Sequence, residues 1–241
     1  LSKINVLDKG YVRLVNHMGD DVSIVNAARV SFDKESQFAE DGSLLAKDSK
    51  LINFLYRNKE MSVFRHATVQ FEMYMPLMVA RQYWKYIVGA SHIDDGTCMN
   101  ESSRRYITED PVFYVPQFNE WRGAPADKKQ GSGELMDDRI GNVATMDLIN
   151  FLEDGMALYD RWIASGMAPE QARLFLPAYG MYIRMRTTMS LAALIHFLQE
   201  RLGHRAQHEI FVYAQAMHDV VQPLFPATFD AIFGGNNESE H

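Results

Sequence analysis

The chain has a single cysteine, Cys98, in 241 residues. That excludes an internal disulfide framework and any metal site built from clustered cysteines. No run approaches the roughly 20 apolar residues of a membrane-spanning helix. An excess of positive charge is also missing: 31 acidic side chains face 24 lysines and arginines, for a net charge of −7. Bulk electrostatics therefore argue against nucleic acid as a partner. There is no GxxxxGK[ST] phosphate loop and no GxSxG nucleophile elbow. Gly131-Ser132-Gly133 begins a GxG, but Met136 stands where the third glycine of a dinucleotide fingerprint belongs, and no strand leads into it. The first ten residues are polar and mixed in charge, unlike a secretory signal. With one cysteine, the expectation is an intracellular, cytoplasmic protein.

What is present is the composition of a soluble globular protein, 47% hydrophobic and 23% charged. We expect one domain over residues 1–241, of mixed α/β class with a small sheet and a mostly helical C-terminal half. Residues 11–17 alternate and predict a strand ending at Gly19. Asp20 and Asp21 can cap a short helix running through Val30. Residues 48–57 carry Leu51, Ile52, Leu55 and Tyr56 on one helical face. Residues 66–74 set Thr68, Gln70 and Glu72 against Val69, Phe71 and Met73, a strand with one wet face. Pro76 suits the first turn of a helix that Gly89 would end. Residues 117–142, rich in glycine, read as a long loop. Helices are predicted over 148–163, from Pro169, over 191–202 and after Gly203, with a strand over 182–188.

The arginines are grouped: Arg104 with Arg105, Arg184 with Arg186, Arg201 with Arg205. Such groups suit small anions, or else pair with the many carboxylates. His196, Glu200, His204 and His208 recur every four residues on one helical face. A metal bundle wants Glu-x-x-His and a second helix with the same residues, and Gly203 interrupts this one, so we read a polar edge and no metal. Cys98 lacks an evident base and reads as a small packing residue, not a nucleophile.

Three segments are more specific: Ala80-Arg81-Gln82-Tyr83-Trp84-Lys85, Asn100-Glu101-Ser102-Ser103-Arg104-Arg105-Tyr106, and Arg201 through Ala206-Gln207-His208-Glu209-Ile210. In that order they resemble the flavin-dependent thymidylate synthase (ThyX) family, with its ARQW helix running into RHR, its NExSxRY segment and its LR followed by AQxEI. Ala27 to Phe32 and the Ala172-Arg173 to Leu176-Pro177 stretch match further family segments. The resemblance implies an α/β homotetramer with sites at subunit interfaces. It also implies conversion of dUMP to dTMP, with methylenetetrahydrofolate as carbon donor, FAD as cofactor and NADPH as reductant.

Residue by residue, the resemblance makes Arg201 catalytic: a cation at the O2 and N3 edge of uracil favours the enolate-like base whose C5 is nucleophilic. Substrate contacts fall on Gln82, Tyr83, Trp84 and Lys85, on Glu101, Ser102, Ser103, Arg104 and Arg105, and on Arg173 and Arg201. Flavin contacts fall on His66, Thr68, Lys85, Tyr86, Ile87 and Glu101, and on Ser190, Ala192 and His196.

The chain departs from the family where the flavin binds. Lys85-Tyr86-Ile87 replaces RHR, and Ser190, Ala192 and His196 replace two asparagines and an arginine. Arg65-His66 replaces Glu-His, Arg205 replaces the histidine before AQ, and residues 91–98 are extra; His92 among them reads as a surface histidine in an acidic turn, the alternative being a loop imidazole in place of the one lost from RHR. Two alternatives follow. One is a related pyrimidine-nucleotide C5 modifier, acting on dCMP or stopping at a hydroxymethyl product. The other is a nucleotide binder that has lost catalysis.

Overall fold

A computed structural model describes residues 2–90, 98–103, 105, 109–125, 131–203 and 206–234. Arg104, His92, His204, Arg205 and the side chain of Ile87 lie outside what is described. The described chain forms β1 (Lys3–Val6), β2 (Gly10–Met18), α1 (Asp21–Arg29), α2 (Ala46–Arg57), β3 (Thr68–Pro76), α3 (Leu77–Ala90) and β4 (Cys98–Glu101). There follow α4 (Asp138–Ala164), the short α5 (Pro169–Ala172), β5 (Tyr182–Ser190), α6 (Leu191–Arg201), α7 (His208–Val221) and α8 (Pro226–Phe233). This is the expected mixed α/β class, with helices dominating the second half. None of the described helices is long and apolar enough to cross a membrane.

The strands make one antiparallel sheet in the order β1-β2-β3-β5-β4. Alternation divides its faces. Val12, Leu14, Val69, Phe71, Met73, Ile183 and Met185 point to one side and are buried in the core. There α3, α6 and α7 pack on the strands and on one another. The other face carries Tyr11, Arg13, Glu72, Tyr74, Arg184 and Arg186, with Tyr11, Tyr74 and Tyr182 stacked across it. β5 runs straight into α6, because the Ser190 hydroxyl accepts the Ala193 N–H at 3.1 Å and caps the helix.

Asp20 caps α1 through a reciprocal bond with Ser23, as its position in the sequence indicates. Asp21 does something different. Buried beside α8, it accepts the Ala227 and Thr228 N–H groups and the Thr228 hydroxyl, fastening two helices distant in sequence.

Several boundaries move. α2 opens at Ala46, and Asp48 is buried where it accepts from Arg29 and Ser36. His66 belongs to a helical turn (Val63–His66) ahead of β3, and Pro76 is the last strand residue, so α3 starts one residue beyond it and continues past Gly89. The predicted loop ends at Asp137, which caps α4 by accepting the Arg139 N–H at 2.9 Å. Gly141 looked like turn chemistry but is helical. A Cβ there would lie 1.8 Å from the Phe118 carbonyl oxygen, so glycine is what lets α4 approach that backbone. Cys98, expected to pack, is exposed at the start of edge strand β4.

Candidate functional site

The sequence-predicted residues fall into three groups. The first lies where α3, α6 and α7 meet. Helical periodicity on α3 buries Val79, Ala80 and Tyr83. The Tyr83 hydroxyl bonds Thr187 on β5 at 3.2 Å, and its ring meets Phe197 of α6 edge-on. Burial pushes its phenol well above the usual range. Tyr83, expected among the substrate contacts, is therefore a core residue that ties α3 to the sheet. Trp84 and Lys85 are exposed on the far side of the helix.

Gln82 and Tyr86 connect to the other two helices. The Gln82 amide donates to the Gln207 carbonyl oxygen, and Gln207 Nε2 donates to Glu209 at 2.7 Å. A carboxylate only accepts, so Glu209 dictates which end of each amide faces which neighbour, and Gln82 is left with its oxygen turned from that pair and without a partner among the described residues. Tyr86 stacks on His196 at 5.3 Å between ring centres, and the Arg201 guanidinium sits 4.2 Å over the same ring. Burial, and then the hydrogen bond from its hydroxyl to Glu200, raise the Tyr86 phenol. The Nε of Arg201 is buried with no hydrogen-bond partner among the described residues. Two departures from the family pattern, Tyr86 and His196, thus touch each other and one of them holds the arginine.

The second group follows β4, which pairs with β5 so that Asn100 faces Arg186 and Glu101 faces Met185. Ser102 extends the ladder: its N–H donates to the Arg184 carbonyl at 2.8 Å and its hydroxyl accepts the Arg184 N–H at 3.0 Å. Ser103 accepts from the Arg105 side chain at 3.1 Å, holding an exposed guanidinium near the chain. Thr68 and Ser190, lateral partners where β3 begins and β5 ends, bring the predicted flavin positions together with nearby His66 and Ala192. Of these, Ser190 is engaged in its cap and Ala192 is buried, so neither offers a free polar side chain. Arg173 is the third group. It is exposed on the turn packed against α4, its Nε donating to the Glu170 carbonyl at 3.2 Å.

Two features were missed. Arg184 and Arg186 are not free: with Arg13 they converge on Glu72, at 2.7, 2.8 and 2.9 Å. Burial raises the Glu72 carboxyl, but bonds from Arg184, Arg186, Tyr11 and Arg13 outweigh it and hold it down at about 2. A cleft of about 540 Å3 also opens beside the Gln207–Glu209 pair, walled by Tyr114, Trp121, Phe151 and Tyr179. Gln207 and Glu209 stood inside a quoted motif, but their role needed the fold.

An arginine laid on an aromatic ring, a fixed amide beside it, and arginines and hydroxyls along the adjoining sheet edge suit a small anionic heterocycle. Among the described residues no group of histidine, cysteine and carboxylates could hold a metal ion. Residues 13–227 match the family described as thymidylate synthase complementing protein. A flavin-dependent thymidylate synthase of Wolbachia pipientis wMel is 33% identical over 226 residues, 94% of this chain and 74% of the relative. That of Thermosipho melanesiensis is 32% identical over 234 residues, 97% and 95% of the two chains. Among solved structures, a UMP/dUMP methylase, PolB, from Streptomyces cacaoi bound with 5-Br dUMP superposes with a TM-score of 0.78 at 27% identity, covering 96% of this chain and 97% of that one. The chain belongs to the flavin-dependent thymidylate synthase family, and so to a family of enzymes.

Proposed function

We propose that the protein methylates dUMP to dTMP, taking the carbon from methylenetetrahydrofolate, with FAD as cofactor and NADPH as reductant. The observation that carries this is Arg201, its guanidinium fixed against Tyr86 and its Nε buried with no partner among the described residues. With Nε enclosed and the ring beneath it, the guanidinium is held in one place, and its outer N–H groups are the donors a substrate acceptor would meet. In this reading Arg201 faces the O2 and N3 edge of uracil and stabilises the enolate-like base, which makes C5 nucleophilic. Gln82 meets the nucleotide with its oxygen, held so by Gln207 and Glu209. In this reading Arg105, steadied by Ser103, and Arg173 reach the phosphate, and Arg104, Glu101, Ser102, Trp84 and Lys85 are further substrate contacts.

The residues present fit a flavin dinucleotide: Lys85 is an exposed cation for a phosphate, and the Tyr86–His196 stack offers a flat wall to a planar ring. His66, Thr68, Glu101 and Ile87, with the Ser190–Ala192 backbone, would complete its site. When bound, the flavin supplies the hydride that completes the methyl group. We include a homotetramer in this reading. The exposed apolar side chains Ile140, Val143, Met146 and Phe151 along α4 are surface that a subunit interface would cover.

The test is an absorbance spectrum and product mass on one purified sample. A flavin spectrum, and dTMP formed from dUMP with NADPH and folate, is the expected result. Parallel incubations with UMP and dCMP identify the base and sugar accepted. Failure to bind FAD even with nucleotide added would sink the reading.

A further inference from the structure

The cleft beside the Gln207–Glu209 pair is not used by the reaction as described: none of the residues expected to meet dUMP or the flavin lines it. Its walls are held in place by the fold. Phe113 bridges to Met181 just ahead of β5, and the Tyr114 N–H donates to the Gly180 carbonyl at 2.8 Å, which fixes Tyr114 against that turn. Trp121 Nε1 donates to the Thr145 hydroxyl of α4 at 2.8 Å, and that hydroxyl donates to the Pro116 carbonyl at 2.9 Å. Tyr179 adds a third, exposed ring. Among the described residues none of these three rings stacks on another aromatic side chain, so no ring of the protein fills the space between them. A volume of about 540 Å3 falls within the roughly 300–1,000 Å3 of small-ligand sites.

The polar groups of the cleft select among ligands. Tyr114 is 6% exposed, yet its hydroxyl has no hydrogen-bond partner among the described residues. Burial, and then the charges of Glu209 and Glu120, push its phenol well above the usual range, so the hydroxyl keeps its proton and can donate. Both of those carboxylates line the same cleft. Glu209 accepts from Gln207 on one oxygen, and its other oxygen has no donor among the described residues. Arg122, also lining the cleft, is exposed and makes one long hydrogen bond there, from NH1 to the Gly133 carbonyl at 3.4 Å. A flat ring seated between the aromatic walls must therefore offer N–H groups to a carboxylate and a carbonyl to a phenol. Uracil and thymine flank their single N–H with two carbonyls, which a carboxylate repels. Adenine sets an acceptor nitrogen beside its amine. Guanine presents two neighbouring N–H donors and then a carbonyl, the order the cleft asks for. A phosphate on its sugar would find the guanidinium of Arg122.

We infer that this cleft is a second nucleotide site that binds a guanine nucleotide, its base edge on Glu209 and Tyr114 and its phosphate at Arg122. The inference goes beyond the synthase reading and does not depend on turnover. Through Glu209, which also fixes Gln207 and Gln82, the site shares one residue with the support of the catalytic nucleotide.

The test is a calorimetric titration of the purified protein with GMP, with dUMP present in excess to fill the catalytic site. We expect one GMP bound per chain. Tyr114→Phe removes a hydroxyl that bonds no described residue, so the fold should stand. It should weaken GMP about three- to tenfold, the value of one hydrogen bond, and leave dUMP affinity within about twofold. Glu209→Gln, read by GMP binding alone, should weaken it about tenfold or more, a charge-assisted contact being lost. No GMP binding by the wild type, or unchanged binding in both variants, overturns the inference. So does AMP binding as tightly as GMP, which would give the cleft to an adenine dinucleotide. Displacement of GMP by dUMP or by folate also overturns it, since the cleft would then belong to a reactant. Absent dTMP formation, with GMP binding and its loss in the variants intact, would sink the synthase reading and leave the guanine site standing.

Discussion

Arg201 and Tyr86 should separate into a group that acts on the substrate and a group that holds it in place. Replacing Arg201 with alanine removes the cation itself. If it faces the developing enolate, one preorganised donor is lost from the transition state, worth about 10²–10³ in turnover. Tyr86→Leu leaves the guanidinium but removes the ring 4.2 Å beneath it. A cation–π contact of this kind is worth about 0.5–2 kcal/mol, so misplacement of the arginine should cost about 2–30-fold at roughly 1.4 kcal/mol per tenfold. Tyr86→Phe keeps the ring and loses only the hydroxyl bond to Glu200; the guanidinium keeps its support, so turnover should fall by less than about threefold even though the lost bond is worth about 1 kcal/mol or more to stability. The assay is single-turnover dTMP formation by rapid quench, with nucleotide affinity measured separately. The order Arg201→Ala, then Tyr86→Leu, then Tyr86→Phe should hold in the rate and be compressed in affinity. Should Arg201→Ala keep its turnover and raise only the KM, the enolate role is wrong. Should Tyr86→Leu equal Arg201→Ala, the ring is itself a contact to substrate or cofactor and not a support.

Other consequences concern the framework. The Glu72 carboxyl is depressed from 4.5 to about 2 in the folded protein, so its contribution is present above pH 4.5 and lost as pH falls from there toward 2. Glu72→Gln should lower stability by about 1–3 kcal/mol at neutral pH, discounted because its arginine partners are half exposed. It should also flatten the acid limb of a plot of Tm against pH. Gly141→Ala sets a methyl group against the Phe118 carbonyl and should cost about 1–3 kcal/mol in chemical denaturation. An unchanged midpoint would mean that this end of α4 moves freely. Glu209→Gln keeps the shape but lets the Gln207 and Gln82 amides flip. It should cut kcat/KM for the nucleotide about 3–10-fold, the value of about one oriented hydrogen bond, while Glu209→Asp should recover part of the loss.

The sequence showed the elements wherever one periodicity dominated: the strands around Leu14 and Phe71, the Leu191–Leu198 stripe, the Asp20 cap. It misled where a residue answers to a distant part of the chain. Gly141 reads as a turn until the Phe118 carbonyl is seen beside it, and Asp48 and Asp21 read as helix-start residues although each is buried against another element. Glu72 alternates as a solvent-facing position, yet arginines from the strands on either side of it cover it. Tyr83 is the reverse case. Its motif suggested a ligand contact, while the spacing Val79, Ala80, Tyr83 already marked the buried face of a helix. The rewritten flavin positions were legible as departures but not as a unit, because Tyr86 and His196 are 110 positions apart in the chain and meet only when α3 packs on α6. Read singly, each removes a family contact. Together they build a ring stack with Arg201 laid on it, so the arginine keeps a rigid support although the residues supplying it have changed.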